Sequence, residues 1–247
     1  MFIFTIFRFS WFLIIVLVFS SCNKAFYGPG SLGTESRYMA KPFNSDTSGL
    51  RHYVSGGAYF NQGKGYQIGE KSSFAEGSYH FSLSKKFYTW STGAGLYAGR
   101  YNVLNATPFN GLKSFWGGSA TTEFSLNIPI KIVNWKIIGF RQSAFFEDGQ
   151  FYRFRKQAAE QNIIFNQSSN HVIYNTSITS EIELNLEPVR IGFYGASGMS
   201  YRGSSFKAIT QSGGVFVYYK DFTLCYQRNS TFPQGINSSL AFTYSFR

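Results

Sequence analysis

"NSSLAFTYSFR", residues 237–247, is the stretch on which the reading of the chain turns. Leu240, Phe242, Tyr244 and Phe246 alternate with Ser239, Ala241, Thr243 and Ser245. Successive side chains of a strand point to opposite faces, so one face here is bulky and the other small and polar. The same alternation recurs upstream. Tyr79, Phe81 and Leu83 oppose Ser78, His80 and Ser82; Phe124, Leu126 and Ile128 oppose Glu123, Ser125 and Asn127. Ile178, Ile182, Leu184 and Leu186 oppose Glu181, Glu183 and Asn185, and Val189, Ile191 and Phe193 oppose Arg190, Gly192 and Tyr194. Phe222, Leu224 and Tyr226 oppose Thr223, Cys225 and Gln227.

This pattern predicts ten strands, near 52–60, 73–84, 88–102, 114–128, 133–147, 172–186, 189–201, 208–219, 221–229 and 237–246. Three of them, 52–60, 133–147 and 208–219, carry bulky residues on both faces and leave their orientation open. Short joins (85–87, 129–132, 187–188 and 220) alternate with longer ones (61–72, 103–113, 148–171, 202–207 and 230–236). An even strand count with short turns on one side and longer loops on the other is the plan of a transmembrane barrel. A soluble sandwich or lipocalin-like barrel is the alternative, but it predicts strands of about five or six residues and no asymmetry of loops. The reading is an all-β, ten-stranded, antiparallel up-and-down transmembrane barrel over 51–247, starting and ending on the short-turn, periplasmic side.

The final strand resembles the closing strand of bacterial outer-membrane barrels, which end on an aromatic residue; here Arg247 follows Phe246. The start of the chain carries a second resemblance. Residues 1–19, MFIFTIFRFSWFLIIVLVF, place one charge, Arg8, before an apolar run that is short of the about 20 residues a membrane helix needs. Ser20 and Ser21 then precede Cys22. A basic start, a short apolar core and small residues form an export signal. Ending on a cysteine, it resembles the signal of a bacterial lipoprotein precursor, with Phe19 where leucine is usual. The resemblance implies removal of 1–21 and acylation of Cys22, and two or three acyl chains make a stable anchor. Residues 22–50, punctuated by Gly28-Pro29-Gly30, Gly33, Pro42 and Gly49, read as an irregular acylated tether that starts on the periplasmic side and lies in the periplasm or folds up into the barrel mouth. The sequence shows no acidic cluster beside Cys22, the signal associated with surface transport of lipoproteins in the Bacteroidota, which points the anchor to the inner leaflet.

Composition agrees with a barrel wall. Aromatic residues make up 20 % of the chain, yet mean hydropathy is only −0.13, as expected where apolar and polar residues alternate. Loss of residues 1–21 would remove one of 23 basic residues and none of 12 acidic ones, leaving 22 − 12 = +10. Nucleic acid is excluded as a partner by location despite that charge. If the bulky faces meet lipid, Glu76, His80, Glu123, Arg141, Glu181, Glu183 and Arg190 project into a narrow lumen and pair across it. That network reads as a structural polar core or as the lining of a gated pore. In the longest join, Arg153, Arg155 and Lys156 fall close together on a stretch able to form one or two helical turns, suited to lipopolysaccharide phosphates.

Enzymatic readings fare poorly. Cys225 and the scattered His52, His80 and His171 make no metal set. His80-Phe81-Ser82 has the His-x-Ser spacing of an outer-membrane lipid A deacylase, but no acid lies between Glu76 and Glu123 to complete a triad. The aspartates, Asp46, Asp148 and Asp221, are too scattered for an aspartate-dependent barrel protease. Gly63-Lys64-Gly65 and Gly93-Ala94-Gly95 lack the Lys-Ser/Thr and helix of a phosphate loop. The sequence thus predicts a non-enzymatic barrel without cofactor, partnered by outer-membrane lipid, lipopolysaccharide and other outer-membrane or periplasmic proteins. Its role is an accessory or scaffolding subunit or, alternatively, a small gated channel.

Overall fold

Alternating residues can satisfy backbone donors and acceptors throughout only if the sheet closes on itself, and this sheet does. The computed structural model describes residues 27–31, 37–43, 49–63, 67–130, 132–164, 170–202, 206–232 and 235–246. Cys22 and the signal-like stretch lie outside the described residues.

Ten antiparallel strands run β1 (Gly49–Gly63), β2 (Lys71–Ser84), β3 (Tyr88–Val103), β4 (Gly111–Ile130), β5 (Val133–Gly149), β6 (Val172–Leu186), β7 (Val189–Arg202), β8 (Phe206–Tyr219), β9 (Phe222–Phe232) and β10 (Gly235–Phe246). Each pairs with its neighbour in sequence, and β1 closes on β10 from His52↔Phe246 to Gly63↔Gly235. All ten expected strands are present, most of them longer at their loop-side ends than the alternation alone suggests. The join 150–171 opens with a helix, α1 (Gln150–Glu160), of three turns rather than one or two.

Loop lengths differ from expectation in one respect. Long joins at 64–70, 104–110 and 150–171 share one mouth, but 203–205 and 233–234 on that same mouth are as short as the turns opposite. There the strands themselves continue outward: β7 reaches Arg202 and β9 reaches Phe232.

The bulky faces point outward. Leu126 and Phe242 are each 50 % exposed, and exposed Phe, Ile, Leu, Val, Trp and Tyr residues circle the wall. Aromatic rows edge this belt: Tyr88, Trp90, Trp135, Tyr219 and Tyr244 toward the turns, and Phe60, Trp116, Phe146 and Tyr174 toward the loops. The three strands of ambiguous face resolve as follows. Tyr53 and Tyr59 of β1 and Phe216 and Tyr218 of β8 are buried inside, while Val54, Phe60, Val215 and Val217 face out. In β5 a bulge at Ile137–Ile138 exposes both residues, so that Lys136 and Arg141, an odd number apart, both face the lumen.

Of the two places open to the expected tether, its described residues take the inside of the barrel and reach well past the mouth. Its two described runs, Tyr27–Ser31 and Arg37–Phe43, are almost wholly buried and pass through the barrel. We call them the strap.

Candidate functional site: an occupied lumen

Small inward residues make room for the strap. A Cβ on Gly30 would come 2.4 Å from the Phe115 ring, and one on Gly95 would come 2.6 Å from Glu76 Oε1 and 3.1 Å from Arg37 Nη1. Glycine on both the strap and the wall thus lets the chain approach the sheet.

At the loop mouth Tyr27 is fully buried. Its ring packs edge-on against Phe154 at 5.2 Å and Tyr101 at 6.3 Å, and its hydroxyl donates to Glu70 Oε1 at 2.7 Å. Glu70 also accepts from Tyr101 Oη and from the backbone N–H groups of Leu104 and Asn105, each at 2.9 Å. Burial, reinforced by Glu70, pushes the Tyr27 phenol above its ordinary range and keeps it a donor. Below it, Ser31 N–H donates to Glu147, which also takes the guanidinium of Arg155 from α1 at 2.7 Å.

In the middle of the barrel Arg37 pairs with Glu76, and its carbonyl accepts from Arg141. Tyr38 stacks on Phe216 at 4.5 Å, and its N–H donates to Gln227 Oε1 at 2.8 Å. The Ala40 carbonyl accepts from His80 Nε2 at 2.8 Å, which fixes that nitrogen as the protonated one. Lys41 is the centre of the site. Its Nζ donates to Glu123 Oε1 at 2.6 Å and to Glu181 Oε2 at 3.0 Å. Its backbone N–H and C=O are both engaged by Tyr218 Oη.

Around Lys41 the charges form a chain. Arg141 pairs with Glu123 and donates to Tyr194 Oη; Lys136 pairs with Glu181 and approaches Glu183 at 3.8 Å; Arg190 donates to Glu183 at 2.9 Å. The Arg190 guanidinium also lies 4.2 Å from the centroid of the Tyr218 ring and 5.7 Å from that of Phe43, the last described strap residue before β1.

All seven residues expected in the lumenal network face inward, but they do not pair only with one another. Glu76 and His80 meet the strap, and Lys136, Arg37 and Lys41 are the members that the alternation missed. The bulge hides the parity of Lys136, and the strap residues belong to no periodic pattern. Of the basic trio in the long join, Arg153 and Lys156 are exposed on α1, whereas Arg155 is 1 % exposed and turned inward to Glu147. That is a correction to its place among surface cations. Helix periodicity explains it, because Phe151, Phe154, Arg155 and Ala158 form the buried stripe of α1.

The charge balance shows why the lumen is filled. Among the described residues six buried carboxylates line it: Glu70, Glu76, Glu123, Glu147, Glu181 and Glu183. Wall and helix oppose them with Lys136, Arg141, Arg155 and Arg190, and the strap adds Arg37 and Lys41. Without the strap Glu76 would lose its cation and the described carboxylates would outnumber the cations six to four, and an unpaired buried charge costs several kcal/mol. The cavities left beside the strap are of about 30 and 20 Å³, room for single waters.

Among the described residues the candidate reactive sets are not brought together, and Asp46 lies outside them. Ser82 Oγ pairs with Ser91 Oγ at 2.7 Å, while His80 is held by Ala40. Asp221 lies 3.9 Å from Arg51, and Asp148 accepts from the Gly149 N–H at 2.6 Å. His52 faces outward, stacked on Phe246, and His171 packs on Tyr152. Among the described residues no group of three metal-ligating side chains comes together.

No family model matches the chain, and no curated protein matches it. Solved structures similar to it are bacterial outer-membrane barrels. The β domain of the Bordetella autotransporter Brka is 9 % identical, with 81 % of this chain and 100 % of that one covered and a TM-score of 0.46. The translocator domain of the autotransporter NalP from Neisseria meningitidis is 9 % identical over 82 % and 89 % of the two chains, TM-score 0.44. An outer membrane channel from Pseudomonas putida F1 is also 9 % identical, over 83 % and 98 %, TM-score 0.44.

Proposed function

We propose that this chain is a non-enzymatic outer-membrane barrel, acylated at Cys22, that does not conduct and serves as an accessory or scaffolding subunit of an outer-membrane assembly. The outward belt of exposed apolar side chains, edged by aromatic rows, supports membrane insertion, since water would leave that area unburied. The observation that carries the non-conducting reading is Lys41, clamped in mid-lumen between Glu123 and Glu181. A solute path would have to break that clamp. A barrel closed from within offers partners its loops, α1 and its wall rather than a passage. Arg153 and Lys156 on the exposed face of α1 suit the phosphates of lipopolysaccharide.

A gated channel is the second reading, favoured by the excess of carboxylates on the wall. With the strap withdrawn, the lumen would be acid-lined and would favour cations. Planar-bilayer recording separates the two. The scaffold reading expects no reproducible open level for the intact chain, with a stoichiometric partner recovered by pull-down and mass spectrometry. A steady open level in the intact chain that shifts on Glu181→Gln and Glu183→Gln would establish the channel instead.

A further inference from the structure

The direction in which the strap crosses the barrel fixes where the chain before it emerges. Tyr27 lies among Glu70, Tyr101, Phe151 and Phe154, all at the mouth bearing the joins 64–70, 104–110 and 150–171. Arg37, Tyr38 and Lys41 occupy the middle. Phe43 reaches Arg190, two residues past the 187–188 turn, and β1 then starts with Gly49 opposite Ser84, beside the 85–87 turn. The chain thus descends from the long-join mouth to the turn side before it enters the sheet.

We propose that the segment upstream of Tyr27, with Cys22, leaves the barrel on the same side of the membrane as the long joins, so that an acyl anchor on Cys22 enters the leaflet those joins face. This rests on the reading of the chain as a membrane-spanning, acylated barrel, and it replaces the turn-side anchor expected from the tether. Reach makes the assignment. Tyr27 is five residue steps from Cys22, and at up to about 3.6 Å each they span at most about 18 Å. The 14 residues of β2 cover about 45 Å along the strand and, tilted by about 40°, roughly 35 Å across the barrel. The lumen offers no return path, because Gly30, Arg37, Tyr38 and Lys41 fill it against Phe115, Glu76, Phe216 and Glu123.

Three single-epitope forms of the full chain test this, with tags placed between Lys24 and Ala25, between Asn166 and Gln167, and between Lys85 and Lys86. Antibody labelling is compared on intact and permeabilised cells. The proposal expects the first two tags to behave alike and the third to behave oppositely, whichever side proves external. It is overturned if the Lys24 tag follows the Lys85 tag while the Asn166 tag differs from both. If the Asn166 and Lys85 tags label alike, the membrane-spanning reading itself fails, and the co-sidedness claim falls with it. Trypsin treatment of cells carrying the untagged chain gives a second measure. Cleavage after Lys24 should accompany cleavage after Lys156, and cleavage after Lys24 together with Lys86 but without Lys156 would refute the assignment.

Discussion

Lys41 lies between Glu123 and Glu181, and each carboxylate already has a second cation, Arg141 or Lys136. Lys41→Met would leave the six described lumenal carboxylates facing five cations. Removal of one partner from a buried charge set costs about 3–5 kcal/mol. Urea unfolding in detergent micelles should therefore show a loss of that size. Adding Glu181→Gln should recover part of it, because the second change removes the carboxylate left in excess. The two effects should be far from additive.

Two strands carry predictions at the level of the element. β5 switches parity at Ile137–Ile138, and that one extra residue turns Lys136 inward to Glu181 and Glu183. Deleting Ile138 should rotate residues 133–136 by one step, sending Lys136 outward and Trp135 inward. Taking Lys136 out of a buried set in which Glu181 keeps only Lys41 and Glu183 only Arg190 should cost about 3–5 kcal/mol, read as lost heat-modifiability on gels and a lower urea midpoint. In β10 the wall is graded by depth. Phe242→Arg, in mid-strand, should cost about 2–4 kcal/mol, and Phe246→Arg, at the turn-side end, about 0–1. Equal tolerance at both positions would remove the bilayer from the account of this belt.

For the whole molecule the strap couples sheet, helix and loop mouth into one packed body. Phe151 and Phe154 of α1 pack on Tyr27, and Arg155 reaches Glu147, which also accepts from Ser31. Gly95 is a single point at which this body can be opened. A larger side chain there meets Glu76 Oε1 and Arg37 Nη1. Gly95→Leu should therefore loosen the strap while the ten-stranded pairing persists. The expected outcome is faster hydrogen exchange over Arg37–Phe43 with protection of β4 and β5 unchanged. Unaltered exchange in the strap would mean that the Arg37–Glu76 pair does not hold it.

Period-two alternation let the sequence by itself determine the ten strands, their order and the outward direction of the bulky faces. Each wall residue is selected by what lies directly beside it, so Phe242 or Leu126 announces its side without knowledge of the rest of the chain. The same local logic placed Glu123, Glu181 and Arg190 inside. It stopped where partners are remote or periodicity breaks. Tyr38 meets Gln227 across 189 residues and Lys41 meets Glu181 across 140, from a segment whose glycines and prolines give no period. Lys136 is masked by a bulge, and Arg155 belongs to a helix whose buried stripe exists only once Tyr27 is there to cover it. Tertiary structure alone decided that the lumen is filled and from which mouth. Among the described residues the wall and helix carry two more buried carboxylates than cations, and the closing of the sheet around Tyr27–Ser31 and Arg37–Phe43 brings Arg37 and Lys41 to them from the chain's own start.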